Sequence, residues 1–81
     1  MRCHVYKSLV RADTYVYLAR KDDFEVLPEL LRQSLGELQP VMTLELGPQR
    51  RLARVEVAAV RTALGASGYF LQLPPAPGLL A

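Results

Sequence analysis

Two short segments near the start of the chain alternate residues so that both of their faces carry apolar side chains, and this restricts the fold more than any other feature. From Arg2 to Lys7, the residues Cys3, Val5 and Lys7 alternate with His4, Tyr6 and Ser8. From Thr14 to Arg20, Tyr15, Tyr17 and Ala19 alternate with Val16, Leu18 and Arg20. Both segments are rich in β-formers, and successive strand residues point to opposite sides of a sheet. Each therefore predicts a strand, and the short polar link from Ser8 to Asp13 predicts an antiparallel hairpin. A hairpin that is apolar on both faces needs cover on both. The rest of the chain must supply it.

Two helical stripes and two further strands are present for that purpose. Leu27, Leu30, Leu31 and Leu35 recur at the spacing of one helix face, after the acidic start Lys21-Asp22-Asp23-Phe24. Pro28 is tolerated only in a first turn, so this helix is expected to begin near Pro28 and to end at Gly36. Asp22, Asp23, Glu25 and Glu29 then sit where carboxylates complement the helix dipole. Val41 to Leu46 alternates as a third strand following Pro40, closed by Gly47-Pro48. Val57, Val60 and Leu64 mark the stripe of a second helix with Gly68 as its cap. Tyr69 to Leu73 is the fourth strand, stopped by Pro74-Pro75-Ala76-Pro77. The expectation is an α+β fold of order β-β-α-β-α-β, with a four-stranded, mainly antiparallel sheet and two main helices. The domain is expected over residues 1–75, with a short Pro- and Gly-containing tail over 76–81.

Composition excludes several classes. With 81 residues, a second domain and a cleft between lobes are out of reach. An apolar content of 51% with 22% charged residues argues for a packed core and against disorder. No run approaches the ~20 apolar residues of a membrane helix, and the N-terminus lacks the apolar run of a signal peptide. One cysteine forms no internal disulfide, which fits a reducing compartment. A cytoplasmic protein is expected. The net charge of +2 is too small to indicate nucleic-acid binding by itself.

The segments Cys3-His4-Val5-Tyr6-Lys7-Ser8, Thr14-Tyr15-Val16-Tyr17, Lys21-Asp22-Asp23-Phe24 and Pro28-Glu29-Leu30-Leu31 carry a family likeness. So do Gly36, Arg50-Arg51-Leu52 and Gly68-Tyr69-Phe70-Leu71-Gln72-Leu73-Pro74-Pro75. At these residues and spacings the chain resembles the YcgL domain family of small bacterial cytoplasmic proteins, largely of proteobacteria, over nearly its whole length. The resemblance implies a compact three-layer α/β/α sandwich and no assigned biochemical activity. Genes of the family often stand beside a ribonuclease D gene, which leans toward RNA metabolism. Two departures are visible. Relatives commonly continue beyond the Pro-rich element, and Glu56 is a poorer helix N-cap than Asp or Asn.

Arg50, Arg51, Arg54 and Arg61 form the basic cluster. On one helix, Arg54 and Arg61 would share a face beside the apolar stripe, and the group could meet about three or four phosphates of RNA in a salt-sensitive way. The bland reading is a solvated helix edge paired with Glu56 or Glu45. Tyr6, Tyr15, Tyr17, Tyr69 and Phe70 could stack on bases or fill the core, and core packing is expected. Cys3 and His4 are adjacent on a strand, point to opposite faces and cannot serve one site. Lys21, Asp22, Asp23 and Gln72 are further surface candidates, with Asp22 and Asp23 expected to initiate the helix. No catalytic constellation, metal site or cofactor follows from these residues. The reading is a non-enzymatic binding or adaptor protein whose partner is RNA or an RNA-processing protein, or a purely protein-binding subunit using a sheet edge or the Pro-rich exit; the competing class is a small hydrolytic or redox enzyme built on Asp22, Asp23, His4 or Cys3.

Overall fold

The computed structural model describes residues 1–47 and 56–74. Four strands, β1 (Arg2–Ser8), β2 (Tyr15–Leu18), β3 (Leu38–Glu45) and β4 (Tyr69–Gln72), are joined by two helices, α1 (Glu29–Leu35) and α2 (Val57–Ser67). A 3₁₀ turn at Phe24–Val26 precedes α1. The strands form one sheet in the order β3-β1-β2-β4, and every neighbouring pair is antiparallel. The expected α+β fold, element order and antiparallel sheet are all present.

Residue alternation in the strands divides the core into two clusters. Cys3 and Val5 of β1, Tyr17 of β2, and Leu44 and Leu46 pack with Val60 and Leu64 of α2. Tyr6 of β1, with Val16 and Leu18 of β2, packs with Leu27 and Leu35. Paired residues in the ladder keep to the same cluster: Val5 lies opposite Tyr17, and Tyr6 opposite Val16. The sequence requirement that both sides of the hairpin be covered is thus met, by α2 on one side and by the 3₁₀ turn and α1 on the other.

Beside one-residue shifts at the ends of β3 and β4, three boundaries differ from the sequence expectation for local reasons. Pro40 lies inside β3, which spans Leu38–Glu45 rather than starting after the proline. As the sheet's edge strand, β3 tolerates a residue without an N–H, particularly at a bulge. The register slips there, with Val5 opposite Met42 but Tyr6 opposite Pro40, so Val41 is the inserted residue. β2 ends at Leu18 rather than at Arg20: the Ala19 N–H still meets the Gly68 carbonyl at 3.0 Å in the register of the β2–β4 ladder, and beyond it the facing chain is the left-handed cap of α2. The acidic segment does not start α1: a 3₁₀ turn and Pro28, which occupies the N-cap position, intervene, and only Glu29 lies in the first turn.

Helix ends are placed where glycine permits. Gly36 follows α1 at φ 65°, and Gly68 follows α2 at φ 85° with its N–H on the Leu64 carbonyl at 3.0 Å. At Gly36 a second constraint applies, since a Cβ there would stand 2.5 Å from Cγ2 of Val10. The hairpin loop and the end of α1 are packed that closely.

Candidate functional site

The candidate residues fall into three groups. Arg50, Arg51 and Arg54 lie outside the described residues. Arg61 is exposed on α2, which begins at Val57 with Glu56 extended ahead of it. Among the described residues Glu45 pairs with Arg2, whose Nε donates to its Oε1 at 2.8 Å, with both side chains about two-thirds exposed. A pair so exposed contributes little.

Asp22 and Asp23 do not start α1; Asp23 stands at the N-cap position of the 3₁₀ turn without a side-chain cap bond. Asp22 adopts a left-handed conformation, φ 58°, which Asp tolerates better than most residues. The Tyr6 hydroxyl donates to Asp22 Oδ1 at 2.9 Å and accepts the Asp22 N–H at 2.8 Å. Tyr6 is 2% exposed and also meets Phe24 edge to face at 4.9 Å. Burial pushes its hydroxyl above the usual tyrosine value, and the hydrogen bond and charge of the Asp22 carboxylate push the same way, against the lowering effect of the backbone hydrogen bond. The exposed Lys21 and half-buried Asp23 flank this clamp. It is a closure of the fold, built on one aspartate.

Ser8 makes a second closure on the same face. Its hydroxyl donates to the Leu35 carbonyl at 2.6 Å and accepts the N–H groups of Val10 at 3.2 Å and Arg11 at 2.9 Å. Arg11 Nε in turn reaches the Ser34 carbonyl at 3.0 Å and its hydroxyl at 2.9 Å. These bonds tie the hairpin loop to the end of α1.

Cys3 and His4 lie on opposite faces as the alternation required. Cys3 is fully buried among the α2-side residues, while half-buried His4 has Nδ1 3.4 Å from Thr43 Oγ1 on the other. Among the described residues no three His, Cys, Asp or Glu side chains converge as a metal site would need. A groove of about 720 Å³ lined by Phe24, Leu27, Leu38, Glu25, Glu29 and Arg32 holds no cysteine, serine or histidine in its lining.

The aromatics divide. Tyr6 and Tyr17 are core residues, and Tyr17 meets Phe70 edge to face at 5.7 Å. Tyr15 is only half-buried, and the strand register gives it companions that sequence reasoning missed. Lys7 lies opposite Gln39 in β3 and Tyr15 in β2, and Tyr15 lies opposite Gln72 in β4. Gln39, Lys7, Tyr15 and Gln72 therefore form one row across all four strands, on the face that carries α2. Gln39 and Lys7 are exposed and Gln72 is half-buried; Gln72 Oε1 accepts the Tyr17 hydroxyl at 2.7 Å. For Lys7, Tyr15 and Gln72 alternation sorts the strand faces, but Gln39 reaches this face only through the bulge at Val41, and only the register shows that the four align.

β3 completes the exposed surface. It runs eight residues along the sheet edge, exposed from Gln39 to Thr43, with Val41 and Met42 at 40% and 52% exposure.

The fold describes a small antiparallel α+β domain with an exposed edge strand. The family model of the YcgL domain matches residues 3–75, and this chain belongs to that family. A YcgL domain-containing protein of Xanthomonas euvesicatoria is 49% identical over 74 residues, covering 91% of this chain and 86% of its own. One from Thioalkalivibrio sulfidiphilus is 47% identical over 75 residues, covering 93% of each. One from Proteus mirabilis is 45% identical over 75 residues, covering 93% of this chain and 77% of its own.

Proposed function

We propose that this chain is a non-enzymatic cytoplasmic adaptor that takes a protein partner along the outer edge of β3. The partner class that agrees with the family likeness is an RNA-processing protein. The observation that carries the reading is the edge strand itself: eight residues long, paired with β1 on one side, with Val41 and Met42 held out at its middle. An added strand finds main-chain hydrogen bonds along such an edge, and apolar side chains at its centre give it anchors. Pro40 and the bulge at Val41 interrupt the row of edge hydrogen-bonding groups, which works against indiscriminate pairing and selects one register.

Affinity capture from lysate, with and without nuclease, tests this. A protein partner retained after nuclease, and reduced about tenfold or more by Met42→Lys as expected for loss of one anchor, supports it. Capture that vanishes with nuclease, or that Met42→Lys leaves unchanged, overturns it.

A further inference from the structure

We propose that two copies of this chain pair through β4, strand to strand about a two-fold axis at Leu71, joining their sheets into one. The backbone phase comes first. Ala19 donates its N–H to the Gly68 carbonyl at 3.0 Å, in register with the β2–β4 pairs. Hydrogen-bonded pairs alternate along an antiparallel ladder, so Phe70 and Gln72 turn their main-chain groups toward β2. Tyr69, Leu71 and Leu73 turn theirs outward, at the end of the sheet order β3-β1-β2-β4. Among the described residues no hydrogen bond engages those outward groups.

A second copy is the occupant this edge fits. Natural edge strands are guarded by charge, proline or a bulge, and β3 has Glu45, Pro40 and a slipped register. β4 has none of these: Tyr69-Phe70-Leu71-Gln72-Leu73 carries no charge and pairs with β2 without a slip. Leu73 is 61% exposed, and Tyr69, Phe70 and Leu71 are half-buried. Such a strand offers a charged partner nothing to recognise, but it complements itself. With the axis at Leu71, Leu71 of one copy faces Leu71 of the other, and Tyr69 faces Leu73 in both directions. Alternation puts all three side chains on the α1 side, where Tyr69 and Leu71 already pack against the cluster of Tyr6, Val16 and Leu18. Apolar residues then meet only apolar residues there, and the three pairs supply about six main-chain hydrogen bonds. On the other face Phe70 stands opposite Gln72, so no new bond is asked of the amide that accepts the Tyr17 hydroxyl. The chain's own continuation is a poor occupant, since Pro74, Pro75 and Pro77 have no N–H to donate. A two-fold contact closes on itself and leaves both β3 edges at the outer ends of the joined sheet.

The test is sedimentation velocity of the intact protein over a dilution series. A strand contact this short buries less than about 1,200 Å² in total, the range of weak associations, so dimer is expected at about 100 µM and monomer at about 1 µM. Leu71→Lys sets two like charges face to face on the axis and should weaken association about tenfold or more. Mixing Leu71→Lys with Leu71→Glu should restore the dimer that neither forms alone, because position 71 pairs with itself. Leu73→Pro removes one outward N–H, leaves the bonds to β2 in place, and should also give monomer. Circular dichroism melting checks that each variant remains folded, and if the position-71 variants do not fold, Leu73→Pro decides alone. Met42→Lys, on the β3 edge, should leave the dimer intact. Monomer alone at the higher concentration, assembly beyond a dimer, no recovery on mixing the folded position-71 variants, a dimer unmoved by Leu73→Pro, or its loss in Met42→Lys overturns the proposal.

Discussion

The two faces of the sheet are closed by different chemistry. On the α1 side, apolar packing around Leu18 and Leu35 is reinforced by buried or half-buried polar locks, with Tyr6 gripping Asp22 and Ser8 gripping the Leu35 carbonyl. On the α2 side, closure rests on Val60 and Leu64 packed against Cys3, Val5, Tyr17 and Leu44. The difference has a physical origin. α1 is a seven-residue helix with a single fully buried residue, Leu35, whereas α2 has eleven residues and buries two. A short helix removes little apolar surface from water, so directional bonds hold the loops around it in place. On the side of the longer helix the directional bond lies within the sheet itself, from the Tyr17 hydroxyl to Gln72 Oε1.

This contrast can be broken in three places. The largest effect is expected on the apolar side: Leu64→Ala should destabilise the fold by about 3 kcal/mol, the usual scale for a buried leucine, read as a lower urea midpoint. On the polar side, Ser8→Ala leaves the Leu35 carbonyl and two loop N–H groups short of a partner and should cost about 2 kcal/mol. A change below about 0.5 kcal/mol, typical of a neutral surface position, would show that the locks decorate a face held by packing alone.

Tyr6→Phe should have the smallest effect near neutral pH, about 1 kcal/mol for one hydroxyl network, and it carries a pH signature. The folded hydroxyl titrates above its unfolded value of 10.0. Its contribution is fully present below pH 10.0 and is lost as pH rises through the folded value, since the unfolded chain ionises first. Stability curves across that range should fall less steeply for Tyr6→Phe than for the unaltered chain. Equal slopes would remove Tyr6 from the account.

Sequence reading succeeded where chemistry is local. Pro28 and Gly36 marked the ends of α1 because one fixes φ and lacks a donor while the other reaches φ 65° without penalty. It failed where distant segments decide. Asp22 looked like a helix-starting carboxylate because it precedes the leucine stripe, yet its partner is Tyr6, sixteen residues away. Pro40 looked like a strand boundary because a central strand cannot hold it, and nothing local shows that β3 is an edge.

The sequence by itself determined that this hairpin would be covered on both sides, because apolar residues on both faces of a strand leave no stable alternative in water. It also determined the family. The tertiary structure decided which residues stand next to one another. Lys7 and Tyr15 are eight positions apart in the chain and Gln72 is far from both, so their alignment depends on strand order and register. Register is fixed by the whole ladder at once, including the bulge at Val41 and the turn at Ser8; a one-residue slip would send these side chains to the opposite face.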